Sequence, residues 1–531
     1  MKQTEQPASL RRLLEARASA APDKPFLFNE RDGRRFTYRE FDEAVNRTAN
    51  LLSSFGVRKG DAVSLLLPNS AEYVVAYFAC FKLGALAGPV NSLLKPEEMT
   101  YVVGNSEART VLYHSDFEAH AAEVAASLAG EGRATPSFLK FDDVSAAADF
   151  SSGTDAFDDS PLGPEDEAII IYTSGTTGKP KGCLLTHGNL LANARQIVDW
   201  LGFGREDRLL SVMPLFHMNA VTVTTVSALH AGGSTVVSPR FSASRFWRIV
   251  SDYGVTSFGS VATMLSMLLA NYPRGVPEGL DTGRLRFAMC GSAPVPSEVL
   301  RRFEEAFGVL VVEGYGLSES TCRSTFNPPD ERRRPGSCGL PIGNEMKVFD
   351  EDDSEVPFGE AGEIVLRGEN IFKGYFRNDE ATRRAFRGGW FHTGDVGYRD
   401  PDGFFYIIDR KSDMIIRGGE NIYPREIDEL LYSHPAVAEA AVIGVPDELY
   451  GEEVAAFVTL KDGGAASEGE LLAYCREHLA EFKCPKRVLF LDALPKGPTG
   501  KVLKRELTRR FGEGAEQSRD VRGGTDGEAQ Q

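Results

Sequence analysis

From Phe36 onward the chain alternates helix-period stretches with short apolar runs, and this alternation restricts the fold more than any other feature. Thr37 and Glu40 form a capping box ahead of a helix over residues 38–55, Gly56 closes it, and residues 62–67 read as a short buried strand. Asn69 and Glu72 can cap a second helix through Lys82, Gly84 ends it, and residues 87–90 read as the next strand. Strand, helix and strand in this rhythm predict parallel βαβ units and hence an α/β domain. Tyr73, Tyr77, Phe78 and Phe81 are assigned to its core and to no chemistry.

A chain of 531 residues is too long for one core, so two or more domains are expected. The formal net charge of −17 disfavours nucleic acid or an anionic membrane as a partner, and an anionic ligand must meet local positive charge. Seven scattered cysteines, odd in number and without a Cys-x-x-Cys pair, point to reduced thiols in a cytoplasmic protein and to no zinc site. The N-terminus lacks an apolar signal core, and the longest strongly apolar run, residues 73–81, is too short for a transmembrane segment.

An apolar run at residues 168–172 leads straight into Thr-Ser-Gly-Thr-Thr-Gly-Lys-Pro-Lys-Gly at 173–182, a buried strand ending in a hydrogen-bonding loop. Such a loop suits phosphate. Gly175 and Gly178 let the backbone approach an anion, Thr173, Ser174, Thr176 and Thr177 add hydroxyl donors, and Lys179 and Lys181 add charge. It is not a Walker loop, because only two residues separate Gly175 from Gly178-Lys179 and Pro180 follows. A flexible surface loop is the competing reading of the segment taken alone.

Two further glycine-rich turns follow strands, at residues 287–294 and 310–320. In an open α/β sheet such turns converge beyond the carboxyl ends of the strands, so the three loops suggest one cleft. A strand over 209–213 leads to Pro214-Leu215-Phe216-His217-Met218-Asn219, where a lone His217 would ordinarily be structural. Asp400-Pro401-Asp402-Gly403 is a turn between two aromatic and β-branched runs, hence a hairpin. Counting outward from it places Asp395 close to Arg410, a carboxylate and a guanidinium that suit the two hydroxyls of a ribose, with a surface ion pair as the alternative.

After Arg410 the texture changes to a helix ending near Tyr432, strands near 438–445 and 453–460, and a helix capped by Ser467 and Glu470. This reads as a separate α+β domain of about 100 residues, and the short polar link before it suggests a hinge. Lys501 follows a Pro-Thr-Gly loop that can carry its ammonium toward a neighbouring cleft, and the tail past Arg510 is expected to be disordered.

Tyr-Thr-Ser-Gly-Thr-Thr-Gly-Lys-Pro-Lys-Gly at 172–182, followed in order by Gly-Tyr-Gly-Leu-Ser-Glu at 314–319, Asp395, Arg410 and Lys501, resembles the adenylate-forming superfamily. That superfamily includes acyl-CoA and aryl-CoA synthetases, peptide-synthetase adenylation domains and beetle luciferases, and the likeness runs from about residue 36 to 507. It implies an α/β fold: a large N-terminal domain (1–411) of two α/β subdomains plus a distorted β-barrel, then a small mobile α+β lid (412–510) hinged at Ser412, with a tail at 511–531. By the same resemblance residues 173–181 hold the ATP phosphates, and Ser292, Ala293, Pro294, Glu313, Gly314, Tyr315 and Gly316 surround the nucleotide, with Tyr315 stacked on adenine. Ser318 touches the α-phosphate, where many relatives have Thr, Glu319 holds Mg²⁺, Asp395 and Arg410 hold the ribose, and Lys501 bridges carboxylate and α-phosphate. Gly418, Gly419 and Glu420 line a coenzyme A tunnel, and His217, Met218, Asn219, Gly259, Val261 and Gly291 form the acyl pocket, with His217 beside the reacting carboxylate.

The implied activity is ATP-dependent conversion of a small-molecule carboxylic acid (fatty, branched or alicyclic) to acyl-AMP and then to a coenzyme A thioester, with ATP, Mg²⁺ and coenzyme A as cofactors. Transfer to the phosphopantetheine of an acyl carrier protein is the alternative. Relatives that activate α-amino acids have Asp directly after the Phe, whereas His217 follows Phe216, which argues for an acid without an α-amino group. A luciferase-like oxygenase, a non-catalytic nucleotide-binding regulator and a P-loop kinase fit less well. A homodimer is possible, and nothing in the sequence supports it.

Overall fold

Thr37 and Glu40 do form the capping box, with the Thr37 hydroxyl accepting from Glu40 N and the Glu40 carboxylate from Thr37 N, and the helix they start runs Tyr38–Ser54. The computed structural model describes residues 7–154, 161–173, 179–291, 295–418, 420–447, 449–461, 463–497 and 502–511. Ser174, Gly175, Thr176, Thr177, Gly178, Ser292, Ala293, Pro294, Gly419, Lys501 and the tail from residue 512 lie outside the described residues. The chain divides into two compact units, Met1–Thr393 with Tyr398–Tyr406, and Gly394–Gly397 with Ile407–Gln531.

The first unit holds two seven-stranded sheets. One runs in the order Gly374–Tyr375, Lys181–Thr186, Glu167–Thr173, Leu86–Pro89, Ala62–Leu66, Thr110–Tyr113, Ser137–Lys140. Its middle is the parallel βαβ arrangement expected from the sequence: Ala62–Leu66 pairs in parallel with both Leu86–Pro89 and Thr110–Tyr113, and the helix Ala71–Leu83 connects the first two. Every residue of that helix is buried, including the four aromatics assigned to the core. Gly84 ends it in the left-handed conformation at φ 70°. Its cap, however, is Ser70, whose hydroxyl accepts from Tyr73 N at 3.3 Å, and not Asn69. The longer Asn69 amide reaches instead to the Met213 and Ser238 carbonyls (2.8 and 3.3 Å) and accepts from Leu215 N at 2.7 Å, while Glu72 takes an ion pair with Arg34 at 2.6 Å.

The other sheet runs Leu310–Glu313, Phe287–Cys290, Ser257–Ser260, Arg208–Ser211, Ser234–Val237, Pro25–Asn29, Arg35–Thr37, parallel except at its last pair. A smaller five-stranded sheet joins Glu345–Phe349, Gly362–Arg367, Trp390–Arg399, Phe386–Arg387 and Phe405–Arg410. The turn at Asp400 is tied by Gly403 N to the Asp400 carbonyl at 3.0 Å, and Arg334 pairs with Asp400 and Asp402.

The second unit is built on a sheet in the order Glu420–Ile422, Ile415–Arg417, Gly451–Leu460, Val437–Asp447, with Arg487–Phe490 parallel to Gly451–Leu460. Pro424–Ser433 and Glu468–His478 pack Ile427, Leu431, Leu471 and Cys475 on one face, and Lys504–Phe511 packs Leu507 on the other. The Ser467 and Glu470 capping box is present. All seven cysteines are free thiols, and among the described residues no helix is long and apolar enough to cross a membrane.

His187 opens the helix His187–Leu201 and is fully buried, its Nδ1 accepting from Leu10 N at 3.3 Å. Burial pushes its pKa down to about 4, against the weaker opposite pull of Asp166 and with smaller help from Arg11 and Lys59. The folded chain therefore keeps His187 neutral where the unfolded chain begins to bind a proton, near about pH 6.5. This stabilisation is complete above that pH and is lost as pH falls toward the folded value, by about 3 kcal/mol at the limit. Urea midpoints measured above and below this window should differ less in His187→Gln than in the wild type; equal differences would rule out His187 as the source.

Candidate active site

The parallel register sets three strand ends side by side. Gly259, Met289 and Val312 are cross-strand partners, as are Ser260, Cys290 and Glu313, so Gly291 and Gly314 emerge together. Ligands of open parallel sheets bind at this carboxyl edge. A Cβ on Gly291 would lie 2.6 Å from the Gly314 carbonyl oxygen and 2.6 and 2.7 Å from the terminal nitrogens of Arg323. A Cβ on Gly314 would lie 2.5 Å from the Phe326 ring. The crowding arises because the chain folds back on itself, with Ser324 N and Thr325 N donating to the Tyr315 carbonyl at 2.8 and 3.1 Å and Tyr315 N donating to Thr325 Oγ1 at 3.1 Å. Thr321 turns this corner at φ 66°, a costly conformation for a β-branched residue, and its hydroxyl donates to the Asn370 carbonyl at 2.7 Å. Glu313 accepts from Gly336 N at 3.0 Å. Glu313, Gly314, Tyr315, Gly316 and Ser318 thus share one tight double turn.

Glu319 follows in a short 3₁₀ turn, Ser318–Ser320. Its Oε1 accepts from the Tyr375 hydroxyl at 3.0 Å, and its carbonyl accepts from Phe372 N at 2.8 Å. Tyr375 belongs to a strand paired with Lys181–Thr186, and the Lys181 ammonium stands 5.2 Å from the centre of its ring. Lys181 lies opposite Thr173 across the antiparallel pair, and Lys179 stands 5.4 Å from the Tyr101 ring. Lys181, at the end of the candidate phosphate loop, and Glu319 therefore meet on one tyrosine, which sequence reading missed. No group of three or more metal-ligating side chains occurs among the described residues. A lone carboxylate fits Mg²⁺, which is ordinarily held by one or two carboxylates together with substrate phosphates and water.

The candidate acyl pocket is marked by polar atoms without a protein partner. His217 Nε2, Asn219 Oδ1 and Asn219 Nδ2 are all buried and unbonded. Such groups are rare in folded proteins, and each calls for a partner that the chain itself does not supply. Burial pushes the His217 pKa down to about 4, so it is a neutral imidazole at neutral pH. Asn219 begins a π-helical stretch, Asn219–Val226, of a kind often found at functional sites. A Cβ on Gly259 would lie 2.8 Å from Asn219 Oδ1, so glycine there leaves the amide its place. Met218 and Val261 are buried. The structure brings Asn219 to Gly259, and Gly291 to Gly314 and Arg323. The turn that carries His217 is held by Asn69, as above, and by the Tyr77 hydroxyl, which donates to the Leu215 carbonyl at 2.7 Å.

In the second unit Arg410 Nε lies 3.0 Å from Asp395 Oδ1, as the hairpin count expected, with Asp395 buried and Arg410 partly exposed. Gly418 adopts φ 61°, its N donates to the Tyr450 carbonyl at 2.9 Å, and a Cβ there would lie 3.2 Å from the Tyr450 ring. Glu420 is exposed, and the Ser412 hydroxyl donates to Asp413 at 3.1 Å. Arg323, Tyr375 and Asn69 are the additions to the site. Only Asn69 carried a sequence signal, and it read as a helix cap.

Residues 14–376 match the family profile described as AMP-binding enzyme, and residues 426–501 match that of the AMP-binding enzyme C-terminal domain. A sulfoacetate–CoA ligase of Cupriavidus necator is 38% identical over 504 residues, covering 94% of this chain and 97% of that protein. A long-chain-fatty-acid–CoA ligase of Mycobacterium tuberculosis is 36% identical over 507 residues, covering 94% and 98%. The crystal structure of ATP-bound MatB from Rhodopseudomonas palustris matches with a TM-score of 0.87 at 32% identity, over 95% of this chain and 99% of that one.

Proposed function

Because the chain belongs to the family of AMP-binding enzymes and, like the CoA ligases it matches along nearly its whole length, is an ATP-using acid–CoA ligase, we propose the following assignment of its two half reactions to residues. In the first, a substrate carboxylate oxygen bonds to the α-phosphorus of ATP and pyrophosphate departs, leaving acyl-AMP. In the second, the coenzyme A sulfur, having lost its proton, bonds to the acyl carbon and AMP departs.

The first step brings anion to anion, so the site must present positive charge and fixed donors where the pentavalent phosphorus forms. Residues 173–181 hold the phosphates, Ser318 donates to the α-phosphate and Lys501 bridges it to the carboxylate. Ser292, Ala293 and Pro294 border the adenine, Tyr315 stacks on it, and Asp395 and Arg410 take the ribose. Bound Mg²⁺ would neutralise phosphate charge beside Glu319, which Tyr375 orients. Neutral His217 can donate to the substrate carboxylate without competing with Lys501 for its charge. For the second step, residues 412–510 act as a lid that turns at Ser412, withdrawing Lys501 and bringing Gly418, Gly419 and Glu420 to the pantetheine. The free cysteines suit a reducing cytoplasm.

The observation that carries this reading is the row of unpartnered buried polar atoms beyond the carboxyl edge of the parallel sheet. The apolar Met218 and Val261 are compatible with fatty, branched or alicyclic chains. Their polar neighbours require a matching group on the substrate. Pyrophosphate and AMP release from ATP and Mg²⁺, measured across mono- and dicarboxylic, aromatic and amino acids with and without coenzyme A, tests the proposal. Turnover that depends on coenzyme A and yields a thioester supports it. Pyrophosphate release indifferent to coenzyme A makes a carrier-protein thiol the acceptor, and no release with any acid overturns the assignment.

A further inference from the structure

Arg323 is the most unusual charged residue in the first unit. It is 1% exposed, and its Nε and Nη2 are buried without a hydrogen-bond partner. Among the described residues no carboxylate lies within ion-pairing distance of it. A guanidinium cannot shed its proton in a protein, so its charge is not relieved by titration. A buried cation with no counter-ion is strongly disfavoured unless something else supplies the anion.

The surroundings hold this cation in place. Arg323 N donates to Asn193 Oδ1 at 3.1 Å, and the Arg323 carbonyl accepts from Asn193 Nδ2 at 2.6 Å, so one side chain from the helix His187–Leu201 clamps both sides of its backbone. Asn370 Nδ2 donates to the same carbonyl at 3.3 Å, and the guanidinium lies 5.4 Å from the centre of the Phe326 ring. The strained corner at Thr321 directs the chain into this position. The guanidinium ends against Gly291, where a Cβ would come within 2.6 Å of Nη1, and Gly291 belongs to the proposed acyl pocket. Asn219, with its unpartnered amide, begins its π-helical stretch against Gly259, on the strand next to the one that leads into Gly291.

We propose that Arg323 is a specificity-determining residue that pairs with a second anionic group on the acyl substrate, so that the preferred acid carries a further carboxylate or a sulfonate besides the carboxylate that is activated. This deepens the ligase reading and rests on it. A purely apolar acyl chain leaves the guanidinium unpaired, whereas a second oxyanion can take its Nε and Nη2 together in the forked geometry that arginine offers.

The test compares coenzyme A-dependent AMP release by the wild type, Arg323→Lys and Arg323→Met, using straight-chain dicarboxylates, a sulfocarboxylate and monocarboxylates of matched length. The wild type should prefer the dianionic acids. Arg323→Met should lose about 100-fold in kcat/KM for them, the usual consequence of removing one side of a buried charge pair, and should hold or gain rate with the matched monocarboxylates. Arg323→Lys should keep part of the dianion preference. A better turnover of dicarboxylate than of sulfocarboxylate, or the reverse, identifies the second group. A wild type that turns over only monocarboxylates, or an Arg323→Met whose loss is equal for all acids, overturns this inference and leaves the ligase reading intact. Failure of the wild type with every acid overturns the ligase reading itself. Should Arg323→Met not fold, the Lys variant and the thermal shift of the wild type with each acid and AMP decide: a shift from dianionic acids alone supports the pairing, and no difference between the classes refutes it.

Discussion

Lys501→Ala should lower acyl-adenylate formation by about a hundredfold to a thousandfold, the usual cost of removing one preorganised group that stabilises transition-state charge. Thioester formation from acyl-adenylate supplied ready-made should keep its wild-type rate. The asymmetry is the point of the experiment, because the proposal assigns the lysine to the phosphoryl step alone and has it carried away from the site before the thiol attacks. Neighbouring lysines cannot take its place: Lys496 pairs with Glu439, and Lys504 is held by Asp428 at 2.8 Å. Rapid-quench measurement of pyrophosphate, set against thioester formed from acyl-adenylate and coenzyme A, separates the half reactions. Equal losses in both would refute the division of labour.

Gly316→Ala should be comparably severe for a different reason. The added Cβ would lie 2.0 Å from the Cys322 carbonyl oxygen, 2.7 Å from its carbon and 2.8 Å from the Arg323 Cα. All three are backbone atoms, so no rotamer change relieves the overlap. The fold-back must open, breaking the donations of Ser324 and Thr325 to Tyr315 and displacing Ser318, Glu319 and Arg323 together. We expect a destabilisation of about 3 kcal/mol, at the upper end for overpacking, and a loss of turnover larger than any single side-chain truncation in that turn. Gly130→Ala, with nothing within 4 Å of the added carbon, is the matched control and should be silent. Thermal unfolding and AMP release report the two effects, and wild-type kinetics from a folded Gly316→Ala would show that the turn can yield.

What was legible in the sequence was local. Thr37 with Glu40 and Ser467 with Glu470 announce their helices because a capping box needs only four consecutive residues. Asp395 could be set beside Arg410 because a tight turn fixes register by counting, and the ion pair is there at 3.0 Å. Other features depend on segments far apart in the chain. Asn69 lies next to a helix start and reads as its cap, yet its amide is drawn to Met213 and Leu215, and the adjacent serine makes the shorter reach to Tyr73 N. Lys181 and Gly182 read as the end of a loop rich in glycines and hydroxyls, but pairing with Tyr172 and Thr173 puts them in a strand, Lys181–Thr186. Arg323 is one arginine among many until the fold shows it buried, with Nε and Nη2 lacking a hydrogen-bond partner among the described residues. The glycines at 291, 314 and 316 were visible as a turn signal; that they make room for a returning backbone was not.

The grip of Asn69 and Tyr77 on residues 213–215 bears on how this scaffold can be rebuilt. Both clamps come from the segment following Ala62–Leu66, in the sheet that leads to the candidate phosphate loop, whereas the turn they hold leads to the candidate acyl pocket. The loop proposed to meet the acid is therefore not a portable cassette. Anyone grafting residues 213–219 from one such ligase to another would have to move positions 69 and 77 with them, or the transplanted pocket would arrive without its foundation.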